Sequence, residues 1–163
     1  MRRVRLYRKY LLAVSWPVAE ADADAVLDAS ANAVPAGNRL LILEADPQFA
    51  AQVADLARRM QIEPLIAVNL TEFEQQYLTF QPSMLSLDVV LGREDVFATI
   101  EFLGNRRATE PIFLVSGYDH RLVDAVAAAA MEYGLLVAER IPKGGDTLRR
   151  LGRQFKAYSL DNE

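Results

Sequence analysis

The chain has 163 residues, 52% of them hydrophobic and 25% charged, enough for one globular domain with a buried core and an appendage. The 18 basic and 22 acidic side chains leave a net charge of −4, which argues against bulk attraction to nucleic acid, and no apolar run approaches the roughly 18 residues that would span a bilayer. With no cysteine and a single histidine, His120, disulfides, thiolate metal sites and a histidine-built zinc site are excluded.

The chain opens on Arg2, Arg3, Arg5, Arg8 and Lys9, followed by the apolar stretch Tyr10 to Ala19. That order imitates a secretory signal, but the apolar part is short and broken by Ser15, Trp16 and Pro17. A disordered tail, an added helix or a start codon placed too early are the other readings. Five like charges in ten residues favour solvation, so residues 1–19 are expected to stay mobile or to pack only on a partner. Glu20 to Val34 is rich in Ala and Asp and compatible with a short helix, and Pro35 to Asn38 reads as a linker. The expected division is an N-terminal extension over 1–37, a folded domain over 38–158 and a tail over 159–163.

From Leu40 the pattern becomes regular. Leu40–Leu43 is of strand length, Asp46 can cap a helix whose first turn takes Pro47, and Phe49, Val53, Leu56 and Met60 give that helix one apolar face. Leu65–Val68 reads as a second strand, and Thr71 with Glu74 as a capping box ahead of Phe73, Tyr77 and Leu78. Met84–Leu91 is a third strand with Asp88 near its end, before a helix marked by Val96, Ile100 and Leu103. Pro111–Val115 is the fourth, leading to a helix through Leu122, Val126 and Ala130 that Gly134 is placed to end. Leu135–Ile141 is the fifth, and Leu148, Leu151 and Phe155 share one side of the last helix. Five strand–helix units predict an α/β, flavodoxin-like, doubly wound parallel sheet in the order 2-1-3-4-5 with helices on both faces.

Right-handed crossovers put the carboxyl ends of all strands on one edge, where such sheets bind ligands. Glu44, Asp88, Ser116 and Lys143 stand there. Each alone has a structural explanation: a solvated loop acid, a cap, a turn residue, a surface charge. Together they carry chemistry, since two acids suit a hard divalent cation and a lysine beside a hydroxyl suits a phosphoryl group.

The segments LLILEADPQFA (from Leu40), MLSLDVVLG (from Met84), PIFLVSGYD (from Pro111) and RIPKGG (from Arg140) resemble the receiver domain of two-component response regulators. The resemblance covers Arg39 to Tyr158. It implies that Asp88 accepts a phosphoryl group, that Ser116 is the hydroxyl residue that moves toward it, and that Lys143 pairs with it. It also implies Mg2+ held by Glu44, Asp88 and the backbone carbonyl of Val90. Four positions depart from the family pattern. Ala45 stands where a second acid usually binds Mg2+, so binding is expected to be weak; Asp46 next door reads as the helix cap. Gly144 replaces the proline after the lysine, which removes the family's cis peptide there. Arg140 replaces the aromatic switch residue, and Gly92 a loop proline.

The expected function is therefore that of a cytoplasmic phosphoacceptor signalling module, loaded on Asp88 by a histidine kinase or phosphotransfer protein. It would act by contact with a downstream protein or a second copy of the chain, and neither nucleic acid nor membrane is expected as a partner. The alternative is a pseudo-receiver that dimerises or docks without phosphorylation, with Ala45 as its main support. An independent enzyme is not expected. Phosphatases with a strand-end aspartate need a second acid two residues on, where Val90 stands, and no GxxxxGK[ST] loop is present. The tetrad Gly144-Gly145-Asp146-Thr147 has the look of a cyclase signature but falls in the turn before the last helix.

Overall fold

The computed structural model describes residues 37–91, 93–117 and 120–160, with only the backbone described at 93–95. The basic arm, the helix expected over 20–34, most of the linker, Gly92 and residues 161–163 lie outside the described residues.

Strand and helix alternate throughout: β1 (Arg39–Leu43), α1 (Pro47–Arg59), β2 (Glu63–Ala67), α2 (Leu70–Phe80), β3 (Met84–Asp88), α3 (Arg93–Asn105), β4 (Ile112–Ser116), α4 (His120–Glu132), β5 (Val137–Pro142) and α5 (Thr147–Tyr158). The five strands form one parallel sheet in the order β2-β1-β3-β4-β5, as the strand–helix pattern requires. Because strand side chains alternate between faces, the central strands feed two separate cores. Leu41, Leu43, Leu85, Leu87 and Leu114 meet Phe73, Ile100 and Val126 from α2, α3 and α4. On the other face Leu40, Ile42, Met84, Phe113 and Val115 meet Val53 of α1 and Leu151 and Phe155 of α5. Full burial of each such side chain contributes roughly 1.5–3 kcal/mol, so this apolar sandwich holds the strand ends in register.

Local chemistry sets the boundaries. Asp46 caps α1 by accepting from Gln48 N and Phe49 N, with Pro47 at the first helical position. The capping box of α2 is two residues earlier than Thr71–Glu74: Asn69 accepts from Glu72 N, and the Glu72 carboxylate accepts from Val68 N. Asn69 is extended (φ −152°), which stops the helix from beginning any sooner. β3 ends at Asp88 rather than running to Leu91, because Asp88 Oδ1 accepts from Val90 N and turns the chain away. Gly134 ends α4 with φ +72°, a conformation that costs glycine least. β5 begins at Val137, two residues later than its apolar run suggests, and a register shift beside Ile112 leaves Ala138 outside the pairing. Asn38, read as linker, and Leu160, read as tail, hydrogen-bond each other through the Asn38 side chain and close the two ends of the described fold.

Candidate functional site

Two strand ends and the residues just after two other strands bring Glu44, Asp88, Ser116 and Lys143 to a single edge. Glu44 follows β1, with its amide donating to Ala67 O of β2. Asp88 ends β3 opposite Val115, and Ser116 ends β4 opposite Pro142. Lys143 follows β5, and its amide donates to Ser116 O at 2.6 Å, so the lysine and the serine are tied through the backbone.

The side chains of Glu44, Asp88 and Lys143 converge. Lys143 Nζ lies 2.8 Å from Glu44 Oε2 and 2.9 Å from Asp88 Oδ2. Both acids are buried, with side chains only 3% and 7% exposed, so the ammonium between them makes a buried, two-sided ion pair rather than a loose surface one. Burial pushes the Glu44 carboxyl above the usual carboxylate range, against the pull of Lys143 and of the Asp46 amide. Burial works to lower the Lys143 value, but its hydrogen bonds to Glu44 and Asp88 carry it above the usual lysine range, so the ammonium keeps its proton. Ser116 is buried beside this cluster, at the wall of a small cavity that also touches His120, Asp124 and Arg140.

Two residues that the sequence did not single out complete the arrangement. The Phe49 ring, on the first turn of α1, has its centroid 4.8 Å from Lys143 Nζ, within range of cation–π attraction. Thr147, fully buried at the start of α5, accepts from Gly144 N at 2.7 Å and has Pro142 O at 2.8 Å and Gly144 O at 2.9 Å as acceptors for its hydroxyl. It thereby grips the chain on both sides of Lys143. All described peptide bonds are trans. Phe49 was legible only as part of an apolar face, and Thr147 only as a turn residue.

The departures noted around Ala45 and at Arg140 have structural counterparts. Asp46 is engaged as a helix cap, not in the acidic pocket, and Arg140 projects to solvent, where it pairs with Asp124 of α4. Val90 is exposed, and Gly92 lies outside the described residues.

Mg2+ takes several oxygens, carboxylates among them. Among the described residues, no three acidic, histidine or cysteine side chains gather closely enough to hold a metal. The two carboxylates that do meet both point an oxygen at Lys143. As arranged, the donor set fits an ammonium better than a divalent ion.

No family model matches the chain, and no curated protein matches it closely. Solved structures do. The receiver domain of a Francisella response regulator is similar with a TM-score of 0.62 at 12% identity, covering 74% of this chain and 95% of that one. A signal receiver domain from Bermanella marisrubri gives a TM-score of 0.58 at 24% identity, covering 72% and 95%. The BeF3-activated N-terminal receiver domain of RstA from Klebsiella pneumoniae gives 0.58 at 18% identity, covering 74% and 97%. With the order β2-β1-β3-β4-β5 and the acids and lysine at its carboxyl edge, the chain has the receiver-domain fold of response regulators.

Proposed function

We propose that this domain is the phosphoacceptor module of a two-component system and that Asp88 is the acceptor. The observation that carries the reading is the contact of Lys143 Nζ with the Asp88 carboxylate at the edge where ligands of such sheets bind, with Ser116 tied to the same loop. An Asp88 oxygen attacks the donor phosphorus and a P–O bond forms. The bond from phosphorus to the donor's leaving nitrogen breaks, and that nitrogen keeps the electron pair and takes a proton from solvent. Lys143 neutralises charge on the transferred phosphoryl oxygens, and the Ser116 hydroxyl donates a hydrogen bond to one of them. Lys143 then exchanges a carboxylate partner for a phosphoryl oxygen, and its backbone bond to Ser116 passes that displacement to β4 and β5.

The donor on this reading is a histidine kinase or phosphotransfer protein, the setting cytoplasmic, and the output a contact with a second protein. No described helix is long and apolar enough to cross a membrane. Intact mass after incubation with a small phosphodonor tests the assignment. Wild-type chain is expected to gain one phosphoryl group and Asp88→Asn none. A wild-type chain that gains none, with or without Mg2+, refutes it.

A further inference from the structure

Every carboxylate oxygen of the acidic pocket is already engaged by this chain. Glu44 Oε1 accepts from Asp46 N at 3.0 Å and Oε2 meets Lys143 Nζ at 2.8 Å. Asp88 Oδ1 accepts from Val90 N at 2.9 Å and Oδ2 meets the same Nζ at 2.9 Å. Phe49 supplies a third wall by presenting its ring to the ammonium. The lysine is also fixed from behind, by its amide on Ser116 O and by Thr147 across the following turn.

Charge accounts for this arrangement. Ala45 adds no carboxylate, so the pocket holds two acids and one ammonium, a single net negative charge when both acids are ionised. A divalent ion added to that buried set would reverse the sign to net positive, with no further acid close enough among the described residues to offset it. A hard cation would also have to draw Glu44 and Asp88 away from an ammonium that both already bind.

We propose that the Lys143 ammonium is the resident cation of this pocket, and that its clamp of Glu44, Asp88 and Phe49 closes the site to divalent metals. The metal-binding half of this proposal stands on the pocket alone; its bearing on transfer rests on the phosphoacceptor reading of Asp88.

The test is a millimolar Mg2+ titration of the full chain, followed by calorimetry and by thermal unfolding against matched ionic strength. Wild type is expected to show neither saturable heat nor added stability. Lys143→Met keeps the aliphatic stem but frees both carboxylates, and should bind Mg2+ at least about tenfold more tightly, a ratio equivalent to ~1.4 kcal/mol. Saturable binding by wild type as tight as that of the variant overturns the proposal. Should Lys143→Met fail to fold, the wild-type titration decides alone: saturable binding overturns the clamp, and its absence supports it. Phosphoryl labelling of wild type in chelator at the rate seen with Mg2+ supports metal-free transfer, and labelling only with Mg2+ overturns it. No labelling under any condition refutes the acceptor reading, and the titration still judges the clamp.

Discussion

Thr147 offers the sharpest check on how the site is held. Replacing it with valine preserves shape but deletes the hydroxyl that accepts from Gly144 N at 2.7 Å and lies 2.8 Å from Pro142 O. The loss has two parts, a hydrogen bond no longer made and a part-buried Gly144 amide left without this acceptor. Together they cost about 1–2 kcal/mol, the lower part of the range for an orphaned donor because the amide is not fully enclosed. For a domain of this size that corresponds to a fall in Tm of roughly 4–8 °C. Thr147→Ser restores the hydroxyl and should recover most of the loss, which separates hydrogen bonding from packing. The assay is urea unfolding of wild type, Thr147→Val and Thr147→Ser, with labelling by a small phosphodonor run in parallel on the folded fraction to follow the proposed acceptor. Labelling should slow in the valine variant and return in the serine variant, because the turn that aims Lys143 is loosened in one and kept in the other. A valine variant within about 0.5 kcal/mol of wild type, the usual scatter of neutral substitutions, would refute the reasoning. So would a serine variant as damaged as the valine one.

Tyr77 reports on the opposite end of the fold. Its hydroxyl donates to the Glu110 carboxylate at 3.1 Å, and burial first, then the Glu110 charge, pushes the phenol well above its usual range. A raised folded value means that stabilisation is fully present below the ordinary phenol pKa and is lost as pH rises through the higher folded one. The stability gap between wild type and Tyr77→Phe should thus stay constant up to about pH 9 and close only in stronger alkali; a gap that closes between neutral pH and pH 9 contradicts this placement. Phe155 is fully buried, with its ring centroid 5.7 Å from that of Phe113, so Phe155→Ala should cost about 3–5 kcal/mol in urea unfolding. A loss below 1 kcal/mol, about the usual effect of an average substitution, would show that α5 is not packed as described.

The order of the sheet was legible because each unit carries its own signal. The alternation of Leu40, Leu41, Ile42 and Leu43 between two cores needs only a buried strand of period two. Asp46-Pro47 is equally local, a cap followed by a residue that fits the first turn. One misplacement arose where the deciding partner lay on another strand. Leu135 and Leu136 are apolar enough for a strand, yet pairing with β4 begins only at Val137, and the register shift beside Ile112 is a property of two strands rather than one. Thr71 and Glu74 have the right spacing for a capping box, but so do Asn69 and Glu72, and the extended backbone at Asn69 decides between them.

The site divides along the same line. Glu44, Asp88, Ser116 and Lys143 were legible because the topology alone sends strand ends to one edge, so identity and position were enough. Phe49 and Thr147 were not, because their roles depend on which way a ring and a hydroxyl face once α1 and α5 have packed on the same side of the sheet. Ala45 shows the limit of reading residue by residue. By itself it says that a carboxylate is missing, which points to a damaged metal site. Placed beside Lys143 it says something different: with one fewer acid, a single ammonium reaches both of the remaining carboxylates at hydrogen-bonding distance. The substitution and the clamp are thus two sides of one electrostatic balance, and Ala45→Asp should disturb it by adding a charge that Lys143 alone does not offset.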